Sequence, residues 1–368
     1  MAHIACFTSF TYAYLAKARV LARSLRRLHP DWSLLALLTD HPPAGLAPDA
    51  LADFDQVMEA AELGIPGFPG WIFKHDVVEA CTAVKATMLR RLLEQGAAKV
   101  IYLDPDIAAF APLDPLIDRL DAASIVLTPH QTTPDRGEEA VRDNEGGSMR
   151  YGIYNLGFIG VRNDATGRAF AAWWEERLLA ACYDAPEQGI FTDQKYCDLV
   201  PGLFAGVHVE RDPGCNVASW NIAHRPVRIT PSGEVTAGGR LLRFYHFTKI
   251  GLAGQRGPGD VMTERYAGDN FEVHELVAWY RREVGAATLP AAELHPWHYG
   301  RFGDGTAIPR GARLLWRNRA DLRRAFPDPF DPGGLRAWIA REEPAILGPP
   351  LPGPRLPGPP LPGSEPAA

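Results

Sequence analysis

The chain has 368 residues, 46% of them hydrophobic, enough for one large or two modest domains with real cores. A formal net charge of −6 gives no global basic field, which argues against nucleic acid as a partner. The five cysteines, at 6, 81, 182, 197 and 215, are scattered without CxxC pairs and argue against a disulfide framework or a zinc site. No eighteen-residue apolar run and no secretory-type N-terminus is found, so a cytoplasmic protein, soluble or peripheral at the inner face of a membrane, is the expectation.

In chain order, residues 3–8 read as a short buried strand. A helix follows with Leu15, Ala18, Ala22, Leu25 and Leu28 at three- and four-residue steps, stopped by His29-Pro30-Asp31. A second apolar strand, 33–38, ends in Thr39-Asp40. Strand, helix and strand with short connections imply a right-handed parallel unit, and ligands of such sheets bind beyond the carboxyl ends of the strands. Thr8, Ser9, Tyr12 and Asp40 fall there. Residues 41–73 are irregular, with a strand expected around Val57. A helix from about Lys74 to Glu94 has Val77, Cys81, Val84, Met88 and Leu92 as its apolar stripe, with Lys85 near the middle. Two readings stand for Lys85: a side chain snorkelling at the stripe's edge, or one reaching a nucleotide or a nearby acid.

Gly96 ends this helix, and the apolar strand 100–103 runs straight into Asp104-Pro105-Asp106. In an extended chain residues i and i+2 point the same way, so both carboxylates face one side. Pro105 stiffens the pair and keeps Asp104 out of the helical region. Such a two-carboxylate claw suits a hard divalent cation that shares its coordination sphere with phosphate oxygens.

Farther along, a strand at 124–127 ends in Thr-Pro-His130, and the polar stretch 131–150 reads as a mobile active-site loop or disorder. The strand at 151–162 is interrupted by Asn155, which if buried needs a partner, functional or structural. A helix over 166–183 buries Phe170, Trp173, Trp174 and Leu178, and Thr192 or Asp193 stands where a helix cap belongs. The apolar strand 241–245 terminates in His246-Phe-Thr-Lys249. From about 270 the periodicity is helical, over 273–284, 311–326 and 334–341, and the Arg-rich run 310–324 reads as a solvated face. Residues 348–368 repeat Leu-Pro-Gly-Pro units, a polyproline-like or disordered tail.

The order Tyr-Leu-Asp104-Pro-Asp106, Tyr-Asn155-Leu-Gly-Phe, Thr-Asp193-Gln194 and a late strand-end histidine resembles nucleotide-diphospho-sugar transferases of the GT-A fold. The nearest likeness is to glycosyltransferase family 8 and related bacterial surface-polysaccharide enzymes, and it covers roughly residues 3–255. The resemblance implies an α/β fold, Rossmann-like, with a mostly parallel central sheet flanked by helices. It implies that Asp104, Asp106 and His246 ligate Mn²⁺ or Mg²⁺ bridging the donor diphosphate. Phe7, Thr8, Ser9 and Tyr12 are implied to contact the nucleoside, Tyr12 by stacking. Lys85 matches a basic residue near the donor, Lys249 supplies phosphate-binding charge, and Asn155, Asp193 and Gln194 match positions close to the transferred sugar. The family's Lys-Pro-Trp group after the histidine is missing here, so the spacing of Lys249 departs from the pattern. The stretch 216–221 is assigned to the acceptor side.

The expected domains are a GT-A nucleotide-sugar-binding and catalytic domain over 1–268, a helical C-terminal region over 269–346 and a Pro/Gly-rich tail over 347–368. The expected activity is metal-dependent transfer of a sugar from a nucleotide-diphosphate sugar, a UDP-sugar favoured, to a glycan, lipid-linked or protein acceptor, with retention. The alternatives are a catalytically silent sugar-nucleotide-binding or scaffold protein and a sugar-1-phosphate nucleotidyltransferase. The second lacks its Gly-rich basic N-terminal loop, since this chain has Phe-Thr-Ser-Phe-Thr-Tyr there. Glycoside hydrolases place two carboxylates on opposite sides of the scissile bond, which acids two apart on one strand do not.

Overall fold

A computed structural model describes residues 3–252 and 254–348; the Pro/Gly-rich tail expected at the C-terminus lies outside the described residues from 349 onward. The chain divides into two compact units, at Gly300 and Arg301.

The first unit is built on the strands β1 (Ile4–Phe10), β2 (Ser33–Leu38), β3 (Gln56–Glu59), β4 (Lys99–Leu103), β5 (Ile107–Ala109), β6 (Ile125–Pro129), β7 (Tyr154–Arg162), β8 (Val207–Val209) and β9 (Phe244–His246). Seven of them form one sheet in the order β8-β6-β7-β4-β1-β2-β3. All its pairings are parallel except those of β7, which runs antiparallel to both β4 and β6. This is the mixed, mainly parallel α/β architecture expected from the strand-helix-strand pattern. Every residue of β4 is buried, as a central strand covered on both faces requires. The strand order reverses between β1 and β4, and that switch point opens a crevice at their carboxyl ends.

The helices that position the crevice are α1 (Leu15–Leu28), α2 (Val77–Ala83), α3 (Lys85–Glu94), α4 (Ala165–Ala181), α5 (Pro258–Ala267) and α6 (Phe271–Ala287). The single helix expected over 74–94 is two, separated at Val84. Asp76 caps α2 by accepting from the amides of Val78 and Glu79, both at 2.9 Å. Lys85 then opens α3.

The first unit extends past residue 268, the boundary expected from the sequence. The reason is α6: Val273, Leu276, Val277, Tyr280 and Val284 share a core with Val20 of α1, Ala108 of β5, and Tyr245 and Phe247. The Phe247 and Tyr280 rings stack at 4.0 Å. So α6 buttresses the two-stranded ribbon of β5 and β9, which carries the residues flanking the claw.

The second unit, described over 301–348, holds short helices at Arg310–Asn318, Ala320–Ala325 and Ala337–Glu342. The expected helix over 311–326 is interrupted at Arg319, and Arg313 and Trp316 are buried rather than part of a solvated face. Among the described residues no helix is long and apolar enough to cross a membrane.

Candidate functional site

Strand β4 ends at Leu103, and the next residues turn through Pro105 so that β5 pairs with β9 rather than extending the main sheet. The register sets Ile107 opposite His246, and the Phe247 amide donates to the Asp106 carbonyl at 2.8 Å. Two residues 140 positions apart thereby meet: His246 Nε2 lies 3.0 Å from Asp106 Oδ1 and 3.7 Å from Asp104 Oδ2. Ligand atoms of Asp104, Asp106 and His246 all fall within 4.8 Å of one another.

A relay behind His246 fixes its ring. His246 Nδ1 is 3.1 Å from Asn155 Oδ1, Asn155 Nδ2 is 3.3 Å from His130 Nε2, and His130 Nδ1 is 3.2 Å from the Ile153 carbonyl. The relay from His246 to Ile153 is satisfied when Nδ1 of each histidine donates, and a charged His246 also donates from Nε2 to Asp106. The relay turns His246 Nε2 toward the two carboxylates, the orientation a ligating imidazole takes from its outer partners. Burial pushes the His130 imidazole down to about 4, so it stays neutral and keeps accepting from Asn155. Burial also acts to lower His246, but Asp106 and Asp104 outweigh it and the net direction is up. Burial acts to raise Asp106, and the His246 charge and hydrogen bond reverse that, leaving its carboxyl below the usual range.

Gly157 makes the relay sterically feasible. A Cβ there would fall 2.7 Å from both Asn155 Oδ1 and His246 Nδ1, closer than real Cβ contacts allow. Its carbonyl also accepts from the Asp104 amide at 2.9 Å. The donor set of two carboxylates and one oriented imidazole fits a divalent ion of the manganese or magnesium kind, the imidazole favouring manganese.

Lys85 settles between its two readings by geometry: only 2% of it is exposed, and its ammonium lies 3.2 Å from Asp104 Oδ1, 2.8 Å from Asp193 Oδ2 and 3.1 Å from the Leu156 carbonyl. It also sits over the Tyr102 ring at 4.2 Å. Burial acts to neutralise it, but Asp104 and Asp193 more than compensate and hold it charged. Asp104 is further fixed by the Tyr102 hydroxyl at 2.6 Å. Asp193 does not cap the helix Gln194–Cys197; its carboxylate faces Lys85 and accepts from the Thr192 hydroxyl at 3.1 Å. Burial raises the Asp193 carboxyl, and the 2.8 Å contact to Lys85 opposes that shift without reversing it. Thr192, a β-branched residue at φ 43°, holds this carboxylate through a strained backbone.

These groups line one cleft of about 780 Å³. Of the residues expected at the site, Ser9, Lys85, Asp104, Asp106, Asn155, Asp193, Gln194, His246 and Lys249 line it. Lys249 is exposed there at φ 55°. Phe7, Thr8 and Tyr12 are not brought to the cleft. β1 runs on to Phe10, so Phe7 lies beneath the floor with its ring against Tyr102 at 5.0 Å, and Thr8 is buried within the strand. Tyr12 opens a 3₁₀ turn that tucks its ring inside, 6.2 Å from His295. That same turn presents Tyr14 to the cleft instead. Asp40 is also diverted: its carboxylate accepts from the His298 amide at 2.9 Å and anchors the segment after α6.

The expected mobile loop at 131–150 is a strap. It consists of a helical turn at Glu138–Ala140, a π-helical turn at Val141–Glu145 and a helix at Gly146–Tyr151. Its polar composition hid this, because the apolar side chains Val141, Met149 and Tyr151 remain exposed. Tyr14, His130, Asn144, Ser148 and Trp220 line the cleft without having been singled out as ligands. Only His130, at the end of an apolar strand, and Trp220, inside the stretch 216–221, carried a sequence signal.

No family model matches the chain. It is similar to two proteins of Bacillus subtilis (strain 168): the uncharacterized protein YfnF, 30% identical over 180 residues, and the uncharacterized protein YfnD, 28% identical over 184. The aligned regions cover 47% and 48% of this chain and 57% and 56% of theirs, so the chain spans little more than half the length of these relatives. Among solved structures, it is similar to the galactosyltransferase LgtC bound to donor and acceptor sugar analogs, at 15% identity and a TM-score of 0.43 over 78% of this chain and 98% of that one. Mouse xyloside xylosyltransferase 1 in its apo form is 16% identical with a TM-score of 0.40, over 67% and 97% of the two chains. A glycosyltransferase involved in glycosylation of the major capsid of PBCV-1 is 13% identical with a TM-score of 0.39, over 72% and 99%.

Proposed function

We propose that this chain is a divalent-metal-dependent glycosyltransferase. It takes a sugar from a nucleoside-diphosphate donor, a UDP-sugar favoured, and passes it with retention to a glycan or glycoconjugate acceptor. The observation that carries the reading is the convergence of Asp104, Asp106 and His246 at the floor of a cleft that also holds the charged Lys85–Asp193 pair. The donor base and the stereochemistry follow the family resemblance and are inferences of that resemblance.

In the reaction the bond between the anomeric carbon and the diphosphate oxygen breaks, and its electron pair leaves with the nucleoside diphosphate. The acceptor hydroxyl oxygen forms the new bond, and its proton passes to an oxygen of the departing diphosphate. Asp104, Asp106 and His246 would hold a divalent cation, which when bound would supply Lewis-acid stabilisation of the leaving charge. The rest is work for the chain's own groups. Lys85 fixes Asp104 and Asp193 in place, Lys249 adds positive charge at the diphosphate, and the Asp193 carboxylate stabilises positive charge on the sugar ring. Gln194 is held beside it by donating to the Tyr151 carbonyl at 3.0 Å. Tyr14 and Ser9 form the nucleoside wall in place of Phe7, Thr8 and Tyr12.

Thermal shift against nucleoside mono-, di- and triphosphates with and without Mn²⁺ tests donor binding, since a ligand at 100 times its Kd adds about 2.7 kcal/mol. A nucleoside diphosphate stabilising the protein only with metal is the expected result, and no stabilisation by any of them would overturn the reading. Turnover separates the enzyme from a silent sugar-nucleotide-binding protein: metal-dependent release of nucleoside diphosphate from a UDP-hexose is expected, and binding without release contradicts catalysis.

A further inference from the structure

One buried polar group in the cleft has no use in the chemistry above. Asn144, in the π-helical turn of the strap, is 3% exposed and lines the cleft, yet neither its Oδ1 nor its Nδ2 has a hydrogen-bond partner. Its neighbours on the strap are all committed. Asp143 accepts from Arg265 at 2.7 Å and from the Tyr266 hydroxyl at 2.9 Å, Glu145 accepts from the Asp135 amide at 2.7 Å, and the Ser148 hydroxyl donates to the Asn144 carbonyl at 2.8 Å. These contacts pin the π-turn from both sides and leave its one amide side chain buried and unpaired in the cleft lining. Buried polar groups are nearly always paired, and π-turns recur at functional sites, so an uncommitted amide there points to a ligand.

The chemistry of the unpaired atoms selects the ligand class. An amide offers one acceptor oxygen and two N–H donors together, the complement of neighbouring hydroxyls that each donate and accept. A phosphate would call for donors only, and a metal ion for acceptors only. Trp220 lines the same cleft, and its indole Nε1 is likewise unpartnered. Gly147, also in the lining, leaves open space: a Cβ built on it meets nothing within 4 Å although it lies inside a helix. The strap's pinning contacts run to α5 and to the segment beside Gln194, whereas the wall proposed above for the nucleoside is lined by Ser9 and Tyr14.

We infer that the strap builds the acceptor subsite, with Asn144 hydrogen-bonding neighbouring hydroxyls of a saccharide acceptor beside the Trp220 indole, in the space that Gly147 keeps clear. This rests on the glycosyltransferase reading for the identity of the second substrate.

The test is saturation-transfer NMR of methyl α- and β-glycosides of glucose, galactose, mannose and xylose with the full chain, free and loaded with UDP and Mn²⁺. Binding of at least one glycoside is expected, with Asn144→Ala weakening it about tenfold, the worth of a lost hydrogen bond or two. Gly147→Ala keeps the protein valid as a test should Asn144→Ala fail to fold, because alanine favours the helix and clashes with nothing. That variant is expected to unfold at the same or a higher temperature and still to bind the glycoside more weakly. No glycoside binding by the parent, or binding by both variants as tight as the parent's, overturns the inference, as does a loss in Asn144→Ala confined to UDP. Failure of UDP with Mn²⁺ to bind at all strikes the donor reading instead, and glycoside binding to the free protein then decides the role of Asn144 separately.

Discussion

The floor of the cleft and its strap are built on opposite principles. At the floor nearly every polar group is spoken for: Lys85 has two carboxylates and a carbonyl, Asp104 has Tyr102 and Lys85, and His246 has Asn155 behind it and Asp106 before it. On the strap the backbone is pinned by polar contacts while Asn144 is left unsatisfied. A site that must hold a fixed charge pattern gains from preorganisation by a sheet, whereas a surface that meets a variable second substrate sits on a segment with few buried apolar anchors. The contrast predicts that floor variants disturb metal and stability, and strap variants do not.

The largest effect is expected at the claw. Asp106→Asn keeps the side-chain shape but removes a ligand charge, and metal-dependent turnover is expected to fall on the order of 10³-fold while circular dichroism stays unchanged. An Asp106→Asn enzyme as active as the parent refutes the metal assignment. Lys85→Met comes next, because it strands two carboxylates, one of them 2% exposed, without their cation. Denaturant unfolding is expected to show a loss of about 3–5 kcal/mol, as for other broken buried ion pairs. A loss under 1 kcal/mol by that measurement would mean that Lys85 and Asp193 are not an energetic pair.

Gly157→Ala is a subtler blow to the same floor. Its new methyl displaces Asn155 or His246, so Mn²⁺ affinity measured by calorimetry is expected to drop about 10–100-fold, the usual cost of disturbing a ligand's outer partners. Unchanged affinity would show that the ring can be oriented without the relay.

The smallest effect is on pH dependence. His130 has a folded value near 4 against 6.5 when unfolded, so between those values the unfolded chain binds a proton that the folded one does not. Stability from His130 is therefore complete above about 6.5 and declines as pH falls toward 4. The parent is expected to lose more stability than His130→Gln between pH 7 and pH 5, and parallel losses would contradict a buried neutral imidazole.

The floor was partly legible in the sequence because its parts sit at the ends of apolar strands: Asp104 and Asp106 after β4, Asn155 within β7 and His246 closing β9. What strand patterns do not reveal is how far a strand continues or where a turn aims. That is why, of Phe7, Thr8, Ser9 and Tyr12, only Ser9 lines the cleft, and Tyr14 lines it as well. Gly157 stands in the Tyr-Asn155-Leu-Gly-Phe motif, but its steric meaning depends on His246, 89 residues away, being packed against its neighbour Asn155. The strap's polar and glycine-rich sequence carries no buried apolar stripe, so its helical turns leave no periodic signal. The role of α6 was hidden for a different reason: helical periodicity marks an apolar face but not the ribbon it supports.

The most direct test of the claw is pulsed electron paramagnetic resonance of Mn²⁺ bound with UDP. One site per chain is expected, with a ¹⁴N coupling from the His246 imidazole that disappears in His246→Ala. A coupling that survives that substitution, or one-site Mn²⁺ binding undiminished by Asp106→Asn, would contradict a metal held by Asp104, Asp106 and His246.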